Sequence, residues 1–524
     1  MPKIDKLIVT NVAALRTKYG TDGLAEIRTA LAGLIVADAE RGLVTRVIDL
    51  SSRAQMRALR GRAVVDADHR RENKDAIDAA YRAVTPDYLL LLGSIDVIPH
   101  QSLANPLFDP SDEESDTDRT VPSDLPYACE APYSRSIRDF RGPTRVVGRL
   151  PDLTGARDPE YLLGLLRTAA RYRTRSRDAY DSYFGLSVYW WRASTGLTLR
   201  TLFGSSDGLK TSPPQGPDWT RTDLAPRIHF INCHGRAADP TFVGQSHEDS
   251  DEYPDAHRAD RIHERVSDGA VVAAECCYGA DLYDPARADD QPGLCYAYLG
   301  GGAYGYLGST TIAYGPSSGN GWADLLCRYF LEEVLRGASL GRALLEARHR
   351  YTLGMSVMQG EDLKTLAQFT LLGDPSIHAV GRMPQGLEKT PLFHKALADA
   401  GALPPGRGLR RDRLLRTGVL LEETVGSVRR ARKRPPQSVR RVLSAAARDA
   451  GIRSDRLRFT SYAVHDPAAE RLRRATRRRG ATPTAVHTAI ASHHAKRDGV
   501  KRIVLISATV ERGRIVRLRR LHSR

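Results

Sequence analysis

The first 380 residues alternate between continuous apolar runs and amphipathic stretches. "KLIVTNVAALRTKYG" and "GLAEIRTALAGLIVADAERG" lead into "LVTRVIDL", and a polar helix is predicted from about 66 to 84. "PDYLLLLGSIDVIPH" follows, where Tyr88 to Leu92 is apolar without interruption and is closed by Gly93. Such a run predicts a strand buried on both faces, as in a parallel sheet. "RVVGRLPDL" at 145–153 predicts another buried strand, and "DPEYLLGLLRTAARYR" predicts the helix after it.

The same grammar restarts near residue 186. Strands are predicted in "LSVYWWRAS", "RIHFINCHG" (227–235), "GAVVAAECC" and "GGAYGYLGST" (301–310). "HRADRIHERV" is predicted helical. "GWADLLCRYFLEEVLRGASLGRALLEARHRYT" predicts two helices broken near Gly337. Strand–helix alternation on this scale predicts an α/β fold with a mostly parallel sheet. We divide the chain into two consecutive α/β subdomains, 1–180 and 181–384, a basic linker over 385–445, and a small basic α/β module over 446–524. A chain of 524 residues is too long for one core.

Charge sharpens the last boundary. Residues 385–524 hold 34 Lys+Arg against 11 Asp+Glu, a net of +23, which leaves 44 against 51, a net of −7, for residues 1–384. "VRRARKRPPQSVRRVL" and "RLRRATRRRG" carry most of the excess, and "KRIVLISATVERGRIVRLRRL" reads as two strands around "ERGR". This module is expected to bind an acidic protein surface, on another protein or on this chain's own body, with nucleic acid as the lesser alternative. Its aromatics are few (Phe459, Tyr462), which disfavours stacking on single strands. An acidic loop, "DPSDEESDTD" at 109–118, reads as solvated, with a cation site as the sharper reading. His493-His494 is a weak metal signal, because adjacent histidines on a helix point apart. No metal and no cofactor are expected.

No run of about 18 apolar residues exists, so no membrane span is expected. "MPKIDKLIVTN" lacks the apolar stretch of a secretory signal, so a cytoplasmic location is expected. Six cysteines without C-x-x-C spacing (Cys129, Cys233, Cys276, Cys277, Cys295, Cys327) fit free thiols better than a disulfide framework.

Two predicted strands end in reactive residues, His234-Gly235 and Glu275-Cys276-Cys277. Functional groups in open parallel sheets gather at carboxyl strand ends. If the two strands are neighbours, an imidazole and a thiol share one crevice, a nucleophile beside its base. The N–H of Gly235 could help hold an oxyanion. The structural alternatives are a core histidine and cysteines packed as small hydrophobes.

"FINCHG", followed about 40 residues later by "VVAAECCYGA", resembles the caspase-like clan of cysteine peptidases. The likeness is greatest to the gingipain-like family, and covers most of 85–380. "YLLLLGSIDVIP", "SDLPYA" (123–128) and "VVGRLPDLTGARDPEYLLGLL" are similar to that family's first subdomain. "GGAYGYLGST" and "FTLLGDPSIHAV" (369–380) are similar to the close of its second. The resemblance implies a caspase/gingipain-like fold and a cysteine endopeptidase acting on protein or peptide substrates through His234 and a cysteine. It aligns Cys277 as nucleophile when Glu275 is matched to the acid or amide two residues earlier, and Cys276 when Gly279 is matched instead; we take Cys277. Glu275 aligns with a pocket-lining position, and with Asp281 and Asp284 nearby a lean toward cleavage after Arg or Lys follows. A turn carboxylate or helix cap is the other reading of Glu275. Cleavage after basic residues would make the linker near 429–434 a site of autocleavage. A scaffold that retains the fold, with the basic module as its working part, is the alternative function. A nucleic-acid-binding regulator rests on charge alone.

Overall fold

A computed structural model describes residues 4–381 and 407–523, apart from 112–114, 249, 356, 432–433, 450–451, 453–456, 466–484, 495–500 and 512–513. The first block contains β1 (Lys6–Thr10), β2 (Thr45–Asp49), β3 (Tyr88–Leu92), a ribbon of β4 (Gln101–Ala104) and β5 (Thr120–Ser123), and β6 (Val147–Leu150). Its helices are α1 (Val12–Glu40), α2 (Arg53–Ala58), α3 (Arg70–Val84) and α4 (Glu160–Arg171). The second block opens with β7 (Tyr183–Val188), α5 (Arg192–Phe203), β8 (Leu209–Ser212) and β9 (Ile228–Asn232). A ribbon of β10 (Thr241–Val243) and β11 (Asp255–Arg258) precedes β12 (Val271–Ala274), α6 (Leu294–Gly300), β13 (Gly305–Ser309) and β14 (Tyr314–Gly315). Helices α7 (Trp322–Leu335) and α8 (Leu340–Leu353), then β15 (Val357–Met358), α9 (Gly360–Gln368) and β16 (Phe369–Gly373), complete it.

Ten of these strands form one sheet in the order β2-β1-β3-β6-β16-β13-β12-β9-β7-β8. Within each block the neighbours are parallel; the blocks meet where β16 runs parallel to β6 and antiparallel to β13. The two expected subdomains therefore share a single sheet, because β16 crosses back to the first block. Leu89 to Leu92 are fully buried, as their uninterrupted apolar run predicted. Each such side chain contributes roughly 1.5–3 kcal/mol on burial.

The Leu-Gly-Asp-Pro-Ser element sits at the junction and serves it structurally. Gly373 has φ +137°, and a Cβ there would meet the Tyr304 carbonyl oxygen at 2.6 Å. A Cβ on Gly148 would meet the Gly373 oxygen at 2.6 Å, so the strands approach closely only because both positions are glycine. Asp374 accepts hydrogen bonds from the Ser376 amide (2.9 Å) and hydroxyl (2.7 Å). It also pairs with the fully buried Lys6, whose ammonium reaches Asp38 at 2.9 Å.

Two local expectations change. "HRADRIHERV" begins as strand β11 and a short turn at Ala259–Arg261, not as a helix. Pairing with β10 and burial of Ala256 and His257 override its helical spacing. In "LSVYWWRAS" the strand ends at Val188 and α5 starts at Arg192.

The last sheet is β14-β21-β20-β19-β18-β17-β15. After α10 (Arg407–Thr424), the chain supplies its strands β17 (Gly426–Ala431), β18 (Arg458–His465), β19 (Ala485–His494), β20 (Lys501–Glu511) and β21 (Arg514–Ser523), with α11 (Gln437–Arg448) packed on β19 and β20. Residues 407–431 and 437–445, expected as linker, hold α10, which packs against α8 and Gly142 of the body, strand β17 of this sheet, and most of α11. Residues 432–433 of the expected autocleavage stretch lie outside the described residues, as does all of "RLRRATRRRG". His493-His494 belong to strand β19 rather than a helix, and their side chains lie outside the described residues. Among the described residues, no helix is long and apolar enough to cross a membrane.

Candidate active site

Strands β9 and β12 are neighbours, parallel, with Ala274 paired to Ile231 and Val271 to Ile228. That register is an offset of 43 residues, the same offset that separates Cys277 from His234. Each residue lies three beyond the last pair, His234 in a bridge to Val243 and Cys277 in the turn after β12, at the carboxyl ends of adjacent strands. Two contacts carry the register onward. The Cys233 amide donates to Cys276 Sγ at 3.4 Å. A Cβ on Gly235 would meet the Cys277 carbonyl oxygen at 1.9 Å, so the His-Gly turn passes against the cysteine backbone with no room for a side chain.

The two cysteines part company here. Cys276 is fully buried, its sulfur directed at the Ile231 carbonyl at 3.8 Å and close to Cys233 and Tyr306. Cys277 enters the other core, with Ala313, Tyr314 and Leu521. Its sulfur accepts the Ala313 N–H at 3.2 Å. Burial pushes the Cys277 thiol up to about 12, against the opposing pull of the Ala313 N–H and of Lys364. The sulfur is therefore a thiol, not a thiolate, at neutral pH in this closed arrangement.

His234 is held from all sides. Its backbone exchanges hydrogen bonds with Val243 of β10 (3.1 and 2.9 Å). Nε2 lies 2.9 Å from Gln245 Oε1, and the Gln245 amide nitrogen donates to the Glu248 and Ser250 carbonyls at 3.2 Å each. Pointing the amide nitrogen at two carbonyls leaves Oε1 as acceptor, so Nε2 carries the proton and Nδ1 is left as the basic nitrogen. The ring stacks edge-on with Trp191 (4.4 Å) and Tyr253 (5.3 Å). By contrast, His229 and His257 share the Tyr298 hydroxyl at 2.9 and 2.8 Å in the apolar interior. Burial depresses them to about 4 and about 3, as expected of neutral core histidines.

Behind Cys277 lies a cluster that motif reading did not find. Lys364 of α9 is fully buried and pairs with Asp116 and, at 2.9 Å, with Asp118. Asp118 accepts from the Tyr278 hydroxyl (2.7 Å) and the Ile312 amide (2.9 Å), and Asp116 from the Tyr314 hydroxyl (2.8 Å). The end of the acidic loop is thus buried, not solvated, and an ammonium fills the place a cation would take. The cluster pins Tyr278, which sits at φ +53° directly after Cys277, and the 312–314 segment that supplies the N–H to its sulfur.

Glu275 is fully buried, with its amide donating to the Ile231 carbonyl at 2.8 Å. Asp281 accepts the Ala238 amide at 3.1 Å, joining the loop after His-Gly to the loop after the cysteines. Burial raises its carboxyl above the usual range. Asp284 caps a short turn through the Ala286 amide at 3.0 Å. Gln245, Lys364 and Ala313 had no sequence signal; a lysine within the otherwise buried face of "GEDLKTLAQF" is the nearest to one.

Residues 238–380 match the model of peptidase family C25. No curated protein matches the chain. Among solved structures, the complex of Porphyromonas gingivalis RgpB pro- and mature domains aligns at 12% identity, covering 98% of this chain and 99% of that one, with a TM-score of 0.44. The Saccharomyces cerevisiae separase–securin complex aligns at 13% identity over 45% of this chain and 14% of that one, with a TM-score of 0.28. From residue 238 to residue 380, a span that includes both adjacent cysteines and begins just after His234, the chain is similar to peptidase family C25, a cysteine-peptidase family.

Proposed function

We propose that the protein is a cysteine endopeptidase in which Cys277 is the nucleophile and His234 its base. The observation that carries this reading is the pairing of β9 with β12 at a 43-residue offset, which brings His234 and Cys277 to neighbouring strand ends; Cys277 lies within the family-matched span and His234 just before it. In the open enzyme His234 takes the thiol proton and the Cys277 sulfur attacks the peptide carbonyl. The tetrahedral oxyanion is held by backbone N–H groups near Gly235 and Cys277. His234 then protonates the leaving amine, and water hydrolyses the thioester, regenerating the thiol.

Cleavage after Arg or Lys is the preferred specificity, with Glu275 and Asp281 as the nearby carboxylates. The cytoplasm is the proposed compartment, in keeping with six free cysteines. The basic sheet is read as the regulatory part, and Arg429–Arg434 as a point where such an enzyme would cut itself. The non-catalytic scaffold is kept as a second reading because Cys277 is only 3% exposed and its thiol is held protonated.

Labelling with an arginyl chloromethyl ketone and peptide mapping separates the two. The enzyme reading expects modification at Cys277 that is lost in His234→Ala. Modification at Cys276 instead reassigns the nucleophile. A protein that takes no label, even after the site is opened as below, is a scaffold.

A further inference from the structure

The last strand of the described chain lies on the segment that touches the nucleophile. Ala313 gives its N–H to Cys277 Sγ, and the next two residues form β14, whose outer edge is occupied by β21. Tyr314 pairs with Ser523 and Gly315 with His522, antiparallel. Leu521 is fully buried in the same core as Cys277, Ala313 and Tyr314. His522 stacks edge-on with Trp190 at 4.8 Å, and the adjacent Trp191 stacks on His234.

Charge fixes the strand in place. Arg520 pairs with Glu248, whose backbone carbonyl holds Gln245 against His234. Arg519 donates to both oxygens of Asp362 at 3.4 and 3.2 Å. One strand therefore touches the segment on the cysteine side and, through Glu248 and the Trp190–Trp191 pair, the supports of the histidine. With it in place, Cys277 is 3% and His234 1% exposed.

We propose that residues 514–523 are a built-in inhibitory strand: they occupy the β14 edge beside Cys277 and keep the site closed. This rests on the peptidase reading for its biological sense, though the cover itself can be tested without it. The hold on the body is of a kind that can be released. Only two residues pair with β14, and the Arg520–Glu248 ion pair is partly exposed, where it weakens with salt, while Arg519–Asp362 is buried. Release of the strand from β14, Glu248 and Asp362 would open the site.

The test uses the full-length chain and the rate at which iodoacetamide alkylates each cysteine under native conditions. The double reversal Arg519→Glu/Arg520→Glu should raise the Cys277 rate at least tenfold while Cys233, Cys276 and Cys295, all buried, stay protected. Adding Glu248→Arg to Arg520→Glu should restore protection, as should a synthetic peptide of residues 514–523 added to the double reversal. An unchanged Cys277 rate overturns the proposal. So does labelling that spreads to Cys233 and Cys295, because the strand would then support the whole core rather than cover one site. If Cys277 becomes reactive but the opened protein cleaves no peptide, and His234→Ala changes nothing, the inhibitory cover stands and the peptidase reading falls.

Discussion

At the scale of single residues, the site is set by contacts that a change of one atom group would break. A methyl on Gly235 would lie 1.9 Å from the Cys277 carbonyl oxygen, a backbone atom that cannot swing away. Gly235→Ala should therefore displace one strand end from the other and lower peptidase turnover in the opened enzyme by about 100-fold or more, the range typical of a mispositioned catalytic group. Circular dichroism should remain native, and kcat should fall more than KM rises. The thiol gives a second prediction. Because burial holds Cys277 near 12, its alkylation in the closed protein should keep rising with pH and show no plateau below pH 10. In the opened variant, with water restored to the sulfur, the plateau should move down toward the ordinary thiol range near 8.5. A plateau at the same pH in both proteins would disconnect burial from the shift.

At the scale of elements, α9 and the acidic loop form one unit through Lys364. The loop looked solvated because its composition is that of a surface turn, and composition carries no information about a lysine 246 residues further on. Burial of Lys364 would by itself lower its affinity for a proton; Asp116 and Asp118 outweigh that and raise it. Removing the ammonium leaves two carboxylates facing each other without a counter-charge. Lys364→Met should cost about 3–5 kcal/mol of stability, as for other broken buried ion pairs, seen as a lower denaturation midpoint in urea. It should also loosen the Ile312–Tyr314 segment that supplies the N–H to Cys277. The strand ends themselves were legible. Val271–Ala274 and Ile228–Asn232 are buried throughout, and their apolar runs end at the residues expected to carry chemistry. "HRADRIHERV" was misread because periodicity cannot see that Tyr298 awaits His257 in the core.

At the scale of the whole molecule, the basic sheet and the acidic body meet along several lines. Arg430 pairs with Asp109, Arg519 with Asp362, and Gln359 donates to Thr509 at 3.3 Å. Under this sheet lies Glu361, buried beside Asp362, Arg519 and Ser507, and pushed up to about 7 by burial first and Asp362 second. When the sheet is released, the carboxyl returns toward its ordinary range near 4.3. A group raised in the docked state favours docking below its free value and loses that contribution as pH rises from about 4.3 through about 7. Wild type and Glu361→Gln should then melt together at about pH 4, below the free value. At pH 8 the glutamine variant should melt higher, by an amount on the order of 2 kcal/mol. Identical curves at both pH values would mean that Glu361 stays neutral or solvated throughout.

The sequence by itself determined the α/β class, the strands that end in His-Gly and Glu-Cys-Cys, the helix break at Gly337, the two strands around "ERGR" and the split in charge. These follow from apolar periodicity and local turn chemistry, which act over a few residues. Only the tertiary structure decided that the two blocks share a sheet through β16, that the strands preceding His234 and Cys277 lie side by side, and that Gln245 hydrogen-bonds the imidazole. It alone placed residues 514–523 beside a segment 200 residues earlier. Those relations depend on which strand pairs with which. Pairing is settled by packing across the whole chain, so no local pattern can announce it.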